Sequence, residues 1–293
     1  MRIQGVLCAV LVTCVSATAP ATAQAPARPA GNFGGGALVA PPKDLFGPGN
    51  AVIGLRALPE RKLEIEATVR AKCAGGDLQV ATKLAADGSF EAEGSGSQSP
   101  TPGEKVKTTF TLSGSFTTER AVEGTLSATL VKSSDSAETK TCKTGKVAFS
   151  ARRPDGDLGD RDVQPRARYY GTTAQRSTGP KRPIVLRLSG DRRRIARALF
   201  GEQVKCSDGK RSIGIEAPRT NIAIDSKGRV SDHETDKIDN GQTFTYLDDR
   251  FTATLGRTGA KGTFSLSDRT VDKLSGNVIQ SCSSGTIKWT AAP

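Results

Sequence analysis

The chain has 293 residues, 36% of them hydrophobic and 25% charged, with 32 glycines and a formal net charge of +12. Its apolar share with glycine counted is that of a globular protein, which excludes disorder throughout, and its length leaves room for two cores. The surplus of Lys and Arg favours anionic partners, and no window offers the roughly 20 apolar residues of a transmembrane helix.

The first 23 residues read as a secretory signal, with Arg2 at the positive end, an apolar stretch from Val6 to Val15 and "ATA" before Gln24. Residues 24–48, rich in Pro, Gly and Ala, read as a linker. Cleavage before Gln24 removes Cys8 and Cys14 and leaves Cys73, Cys142, Cys206 and Cys282. In an oxidising compartment, four cysteines suggest two disulfides.

From residue 49 the pattern is strand-like. In "KLEIEATVRAKC" (62–73), Leu63, Ile65, Ala67, Val69 and Ala71 alternate with polar residues, the period of a half-buried strand. "LAADGSF" (84–90) reads as a hairpin turn, and "TFTLSGSF" and "CKTGKVAFSA" (142–151) complete a domain at 49–152. Residues 153–168 form a charged linker with Asp155, Asp157, Asp160 and Asp162. A second domain at 169–293 repeats the first. "CSSGTIKWTA" (282–291) overlays "CKTGKVAFSA" without a gap, placing Trp289 on Phe149. "IVLRLSGDRRRIARALFGEQVKC" matches "VIGLRALPERKLEIEATVRAKC" with one offset, "IDSKGRV" supplies the second hairpin, and "YYGTT" (169–173) echoes "NFGGG" (32–36). The match assigns strand, with a bulge, to "RRRIARALF" (192–200), where Ile195 and Leu199 alone would permit a helix.

A duplicated domain that folds alone holds its own bridge, so Cys73 pairs with Cys142 and Cys206 with Cys282. Each bridge closes a loop for which chain entropy gives about 4.4 kcal/mol. Short strands between Gly, Ser, Asp and Thr turns predict an all-β chain of two tandem β-sandwich-like or small-barrel domains, each with one internal disulfide.

Catalytic signals are sparse. His233, in "SDHETDKIDNG", has no counterpart in the first copy, and no "GxSxG" accompanies it. It reads as a solvated loop residue. The acids around it, Asp232, Glu234 and Asp236, alternate like the opening of a calcium loop, but Lys237 stands where glycine is needed. The chain is therefore read as non-enzymatic and without a cofactor, with a hydrolase built on His233 and the acidic loop as the remaining enzyme reading.

Charge separates the copies. Residues 49–152 carry 14 basic against 12 acidic residues, and residues 169–293 carry 21 against 13. The excess lies in 169–229, with 14 against 5, and 230–293 is close to neutral. Lys181, Arg182, Arg187, Arg192, Arg193, Arg194 and Arg197 form the densest group, the expected site for an anionic polymer. The competing expectation makes them the charged outer face of an edge strand. The resulting reading is a secreted, periplasmic or cell-surface binding module for an anionic envelope polymer or membrane surface, with a protein partner or an inhibitor role as the alternative. The exported address and the lack of a nucleic-acid module argue against nucleic acid.

Overall fold

The computed structural model describes residues 29–39, 49–99, 103–135, 137–160, 162–175, 179–215 and 219–293. The expected signal segment lies outside them. The first sheet comprises β1 (Gly31–Ala37), β2 (Ala51–Ala57), β3 (Lys62–Arg70), β4 (Gly75–Lys83), β5 (Ser89–Gln98), β6 (Glu104–Thr118), β7 (Ala121–Ser134), β8 (Ala137–Lys143) and β9 (Val147–Arg152). The second comprises β10 (Arg168–Thr173), β11 (Pro183–Leu188), β12 (Arg194–Cys206), β13 (Arg211–Ile215), β14 (Arg219–Ala223), β15 (Arg229–Asp239), β16 (Thr243–Leu255), β17 (Ala260–Asp272), β18 (Val278–Ser283) and β19 (Ile287–Ala292).

The two sheets share one topology: β4-β3-β2-β1-β9-β7-β6-β5 in the first and β13-β12-β11-β10-β19-β17-β16-β15 in the second. All pairings are antiparallel. In the first, β4 and β5 lie side by side without a ladder, where Thr82 Oγ1 donates to Glu91 O at 2.8 Å and Gln98 Nε2 to Gly75 O at 2.9 Å. The expected hairpin at 84–90 is thus a turn between strands joined by side chains. In the second, β18 pairs with both β12 and β17, so β12-β11-β10-β19-β17-β18 forms a closed ring. Each half holds its own bridge, Cys73–Cys142 and Cys206–Cys282, as the repeat requires. Two disulfides are consistent with an oxidising or extracellular compartment. No helix among the described residues is long and apolar enough to cross a membrane.

Three expectations shift in detail. Gly31–Ala37, expected in the linker, is a strand between β2 and β9 with its last five residues buried. Residues 153–168 are not a free tether, since Arg257 N donates to Asp160 O at 2.7 Å and Val163 is buried in the second core. The glycine echo moves by one: Gly35 pairs with Ala151 as Gly171 pairs with Ala291. The bulge in 192–200 is present, with Leu188 opposite Ile195 and Arg187 opposite Arg197, so Ala196 is the extra residue.

Separate cores fill the halves, one around Phe33, Ile53 and Phe149 and the other around Phe200, Phe251 and Trp289. A third cluster, Val52, Tyr170, Val185 and Leu199, lies where the halves dock. Strands β2 and β11 are buried on both faces there, which explains their near-continuous apolar runs "AVIGL" and "PIVL". Trp289 is 2% exposed and stacks on Phe251 with centroids 5.6 Å apart, yet its indole N–H makes no hydrogen bond among the described residues. Trp289→Phe, the residue of the first copy, should therefore cost only about 1 kcal/mol in denaturant unfolding. A loss several times larger would mean that the two sites are not equivalent.

Candidate functional site

The seven basic residues do not converge. Arg182 and Arg197 are 6% and 1% exposed. Arg182 Nη1 binds Glu66 Oε2 of the first half at 2.7 Å, a contact of the docked halves. Arg192 pairs with Asp162 at 2.8 Å, and Arg194 Nη1 donates to Asn221 Oδ1 at 2.7 Å. Arg187 is half-buried, and Lys181, Arg192, Arg193 and Arg194 are exposed. Only Arg187, Arg194 and Arg197 lie on β11 or β12, and Arg182, just ahead of β11, is taken up by the contact between the halves.

A crevice of ≈ 240 Å³ opens at the same junction, lined by Glu66, Asp77, Arg182 and Thr68 among others. Burial pushes the Glu66 and Asp77 carboxyls up from their ordinary range, even with Arg182 nearby.

His233 is on strand β15 rather than in a loop, exposed, with Nε2 at 3.2 Å from Asp248 Oδ2. The alternation of Asp232, Glu234 and Asp236 is the two-residue period of that strand, which turns all three to the face that carries Val230. Asp232 sits opposite Phe251, Glu234 opposite Asp249 and Asp236 opposite Leu247, and Asp268 continues the Leu247 row. Buried Arg219 reaches in from β14 to Asp232 and Asp249, with Glu234 at 3.9 Å. Burial also pushes the Asp268 carboxyl up, against a hydrogen bond from the Cys282 amide. The acids of the 155–162 segment are likewise occupied: Asp155 Oδ1 and Asp157 Oδ1 each accept a backbone N–H at 3.0 Å, and Asp162 holds Arg192.

The opposite, outer face of β15–β19 carries the cations. Of seven basic residues in 230–293, Lys237, Arg250, Lys261, Arg269 and Lys288 occupy outward strand positions, all exposed. Of the eight acids in that stretch, only Asp239 and Asp248 share the face. Lys205 joins them from β12 through the row Lys205–Ser283–Ser267–Asp248–Thr235. Between this row and the next, Ser281–Arg269–Tyr246–Lys237, runs a groove of ≈ 790 Å³. Lys237 Nζ lies 3.6 Å from the Phe244 ring centroid, and Arg269 5.3 Å from that of Tyr246. Arg250 approaches Asp248 at 3.5 Å, whereas Lys205, Lys237, Lys261, Arg269 and Lys288 make no ion pair among the described residues.

The first half shows what this replaces. Aligning the registers at the disulfides puts Ser97, Thr111, Glu123, Val131 and Ala148 where the second half has Lys237, Arg250, Lys261, Arg269 and Lys288. It also puts Ala92, Gly94, Gly96, Phe110 and Leu130 at the positions of Asp232, Glu234, Asp236, Asp249 and Asp268. Gly96 is where β5 closes on β4, since a Cβ there would meet Asp77 O at 2.5 Å. The carboxylates at the equivalent positions of β15 leave that seam open, and β15 pairs with β16 alone. No family model, no curated protein and no solved structure matches the chain.

Proposed function

We propose that the protein is an exported, non-catalytic binding module that holds anionic groups of a cell envelope on the outer face of β15–β19. The observation that carries this reading is the sorting of charge between faces. Five cations without an ion pair among the described residues, and Arg250, stand in a field of Ser and Thr hydroxyls, while six of the eight acids of 230–293 point to the opposite face.

Rows along an antiparallel strand repeat every two residues, or about 6.8 Å. From the Arg229–Thr254–Lys261 row to the Asp239–Phe244–Val271 row, the track therefore spans about 34 Å. A single small anion cannot use that length. A repeating array of phosphate, sulfate or carboxylate can. Export is supported by the N-terminal segment and the two disulfides.

The test uses the chain without its first 23 residues on immobilised dextran sulfate and polygalacturonate. Exposed ion contacts contribute about 0.5 kcal/mol each, so Lys261→Gln, Arg269→Gln and Lys288→Gln together should weaken binding about tenfold. Raising salt from about 0.05 to about 0.3 M should weaken the parent chain as well. Equal binding by parent and variant at both salts would overturn the reading.

A further inference from the structure

Five large apolar side chains are exposed among the described residues, and four of them cluster at the far end of the second sheet. Leu274 is 99% exposed in the β17–β18 turn, Val278 and Ile279 follow at 53% and 58%, and Ile238 at the end of β15 is 41% exposed. The turn that presents Leu274 is held by its own polar groups. Asp272 Oδ1 accepts the N–H of Leu274 at 3.1 Å and of Ser275 at 2.7 Å, and Lys273 N donates to Gln242 O of the β15–β16 turn at 3.0 Å. A loop so braced, with its largest apolar side chain fully in water, is built to place that side chain somewhere else.

What surrounds the tip identifies the occupant. Directly behind it lie Phe244 and Tyr246, with ring centroids 6.3 Å apart, flanked by Lys237 and Arg269, while Lys273, with Nζ 4.5 Å from the Phe244 centroid, is held by Asp239. An apolar point, then aromatic rings, then long-stemmed cations is the order of environments met on entering an anionic bilayer: acyl chains, interface, headgroups. A protein pocket would need no such layering. The corresponding stretch of the first copy, "SSDSAETK" (133–140), contains no large apolar residue, so the tip belongs to the half that carries the basic track.

We propose that the β17–β18 tip inserts Leu274, Val278 and Ile279 into an anionic lipid bilayer, while Lys237 and Arg269 engage the headgroups. This rests on the reading of the outer face as an anion-binding surface and names the lipid membrane as the source of the anions.

The experiment is co-sedimentation of the chain without residues 1–23 with vesicles of phosphatidylglycerol and phosphatidylcholine, with pure phosphatidylcholine vesicles and soluble dextran sulfate in parallel. The mixed vesicles should bind it and the pure phosphatidylcholine vesicles should not. Leu274→Ser, Val278→Ser and Ile279→Ser together should lower vesicle binding at least about tenfold and leave dextran sulfate binding unchanged. Binding of dextran sulfate without binding of the mixed vesicles, or a serine variant that binds vesicles like the parent, would overturn the insertion and leave the anion-binding reading standing. Failure to bind either probe would overturn both.

Discussion

Arg219→Met should destabilise the second domain by about 4 kcal/mol. Arg219 is 4% exposed and faces Asp232 and Asp249, the latter with a side chain 11% exposed. Removing the guanidinium strands carboxylate charge where water cannot solvate it, which costs far more than the net worth of the ion pair. The first copy shows the apolar solution to the same site, with Ala92 and Phe110 in place of the two acids. Adding Asp232→Ala and Asp249→Phe to Arg219→Met should therefore recover most of the loss, because a buried ionic cluster can be exchanged for packed apolar groups without net cost. Urea unfolding followed at Trp289, the chain's only tryptophan, reads the second domain directly. A single variant losing less than about 1 kcal/mol would show that Arg219 is not the counter-ion of this wall.

Gly34→Ala should separate the two halves. A Cβ on Gly34 would stand 1.8 Å from Gly171 O and 2.8 Å from Thr172 Cγ2, so backbone of β1 and backbone of β10 meet with no room for a methyl group. Neither side is a flexible side chain that can turn away. Relief requires the strands to move apart, which also opens the Val52, Tyr170, Val185 and Leu199 cluster and the Arg182–Glu66 pair. Overpacking of this kind costs about 3 kcal/mol. Calorimetry should show one transition splitting into two, with greater protease sensitivity near residues 179–182. An unchanged single transition would mean that the halves do not depend on this crossing.

The fold was legible because its signals are local and repeated. The alternation in "KLEIEATVRAKC", the gapless match of the two terminal stretches and one cysteine pair per copy led directly to two β domains with internal bridges. Strand β1 was missed because "GNFGGGA" is mostly glycine, a composition that ordinarily marks linkers. Its glycines serve the close strand crossing at the domain junction instead.

The site was obscured for a different reason. Summing charge over 230–293 gives nearly zero, because five outward cations cancel against inward carboxylates on the same strands. The signal that could have found it was parity: odd-numbered Lys237 and Arg269 against even-numbered Asp236 and Asp268, read along strands already recognised. The arginines of 182–197 drew attention by density, yet density does not distinguish a solvent face from a docking face. Arg182 lies in the latter, paired with Glu66, and Arg197 is buried. The acidic run around His233 resembled a metal loop only because strand and calcium-loop patterns share a two-residue period.

The most direct test of the outer-face assignment is a residue-resolved map of amide chemical-shift changes as dextran sulfate is added to the full chain without its first 23 residues. The changes should fall on Lys205, Lys237, Arg250, Lys261, Arg269 and Lys288 and on the Ser and Thr between them, with Ser97, Thr111 and Val131 of the first domain unmoved. Changes centred instead on residues 181–197, or spread equally over both domains, would contradict it.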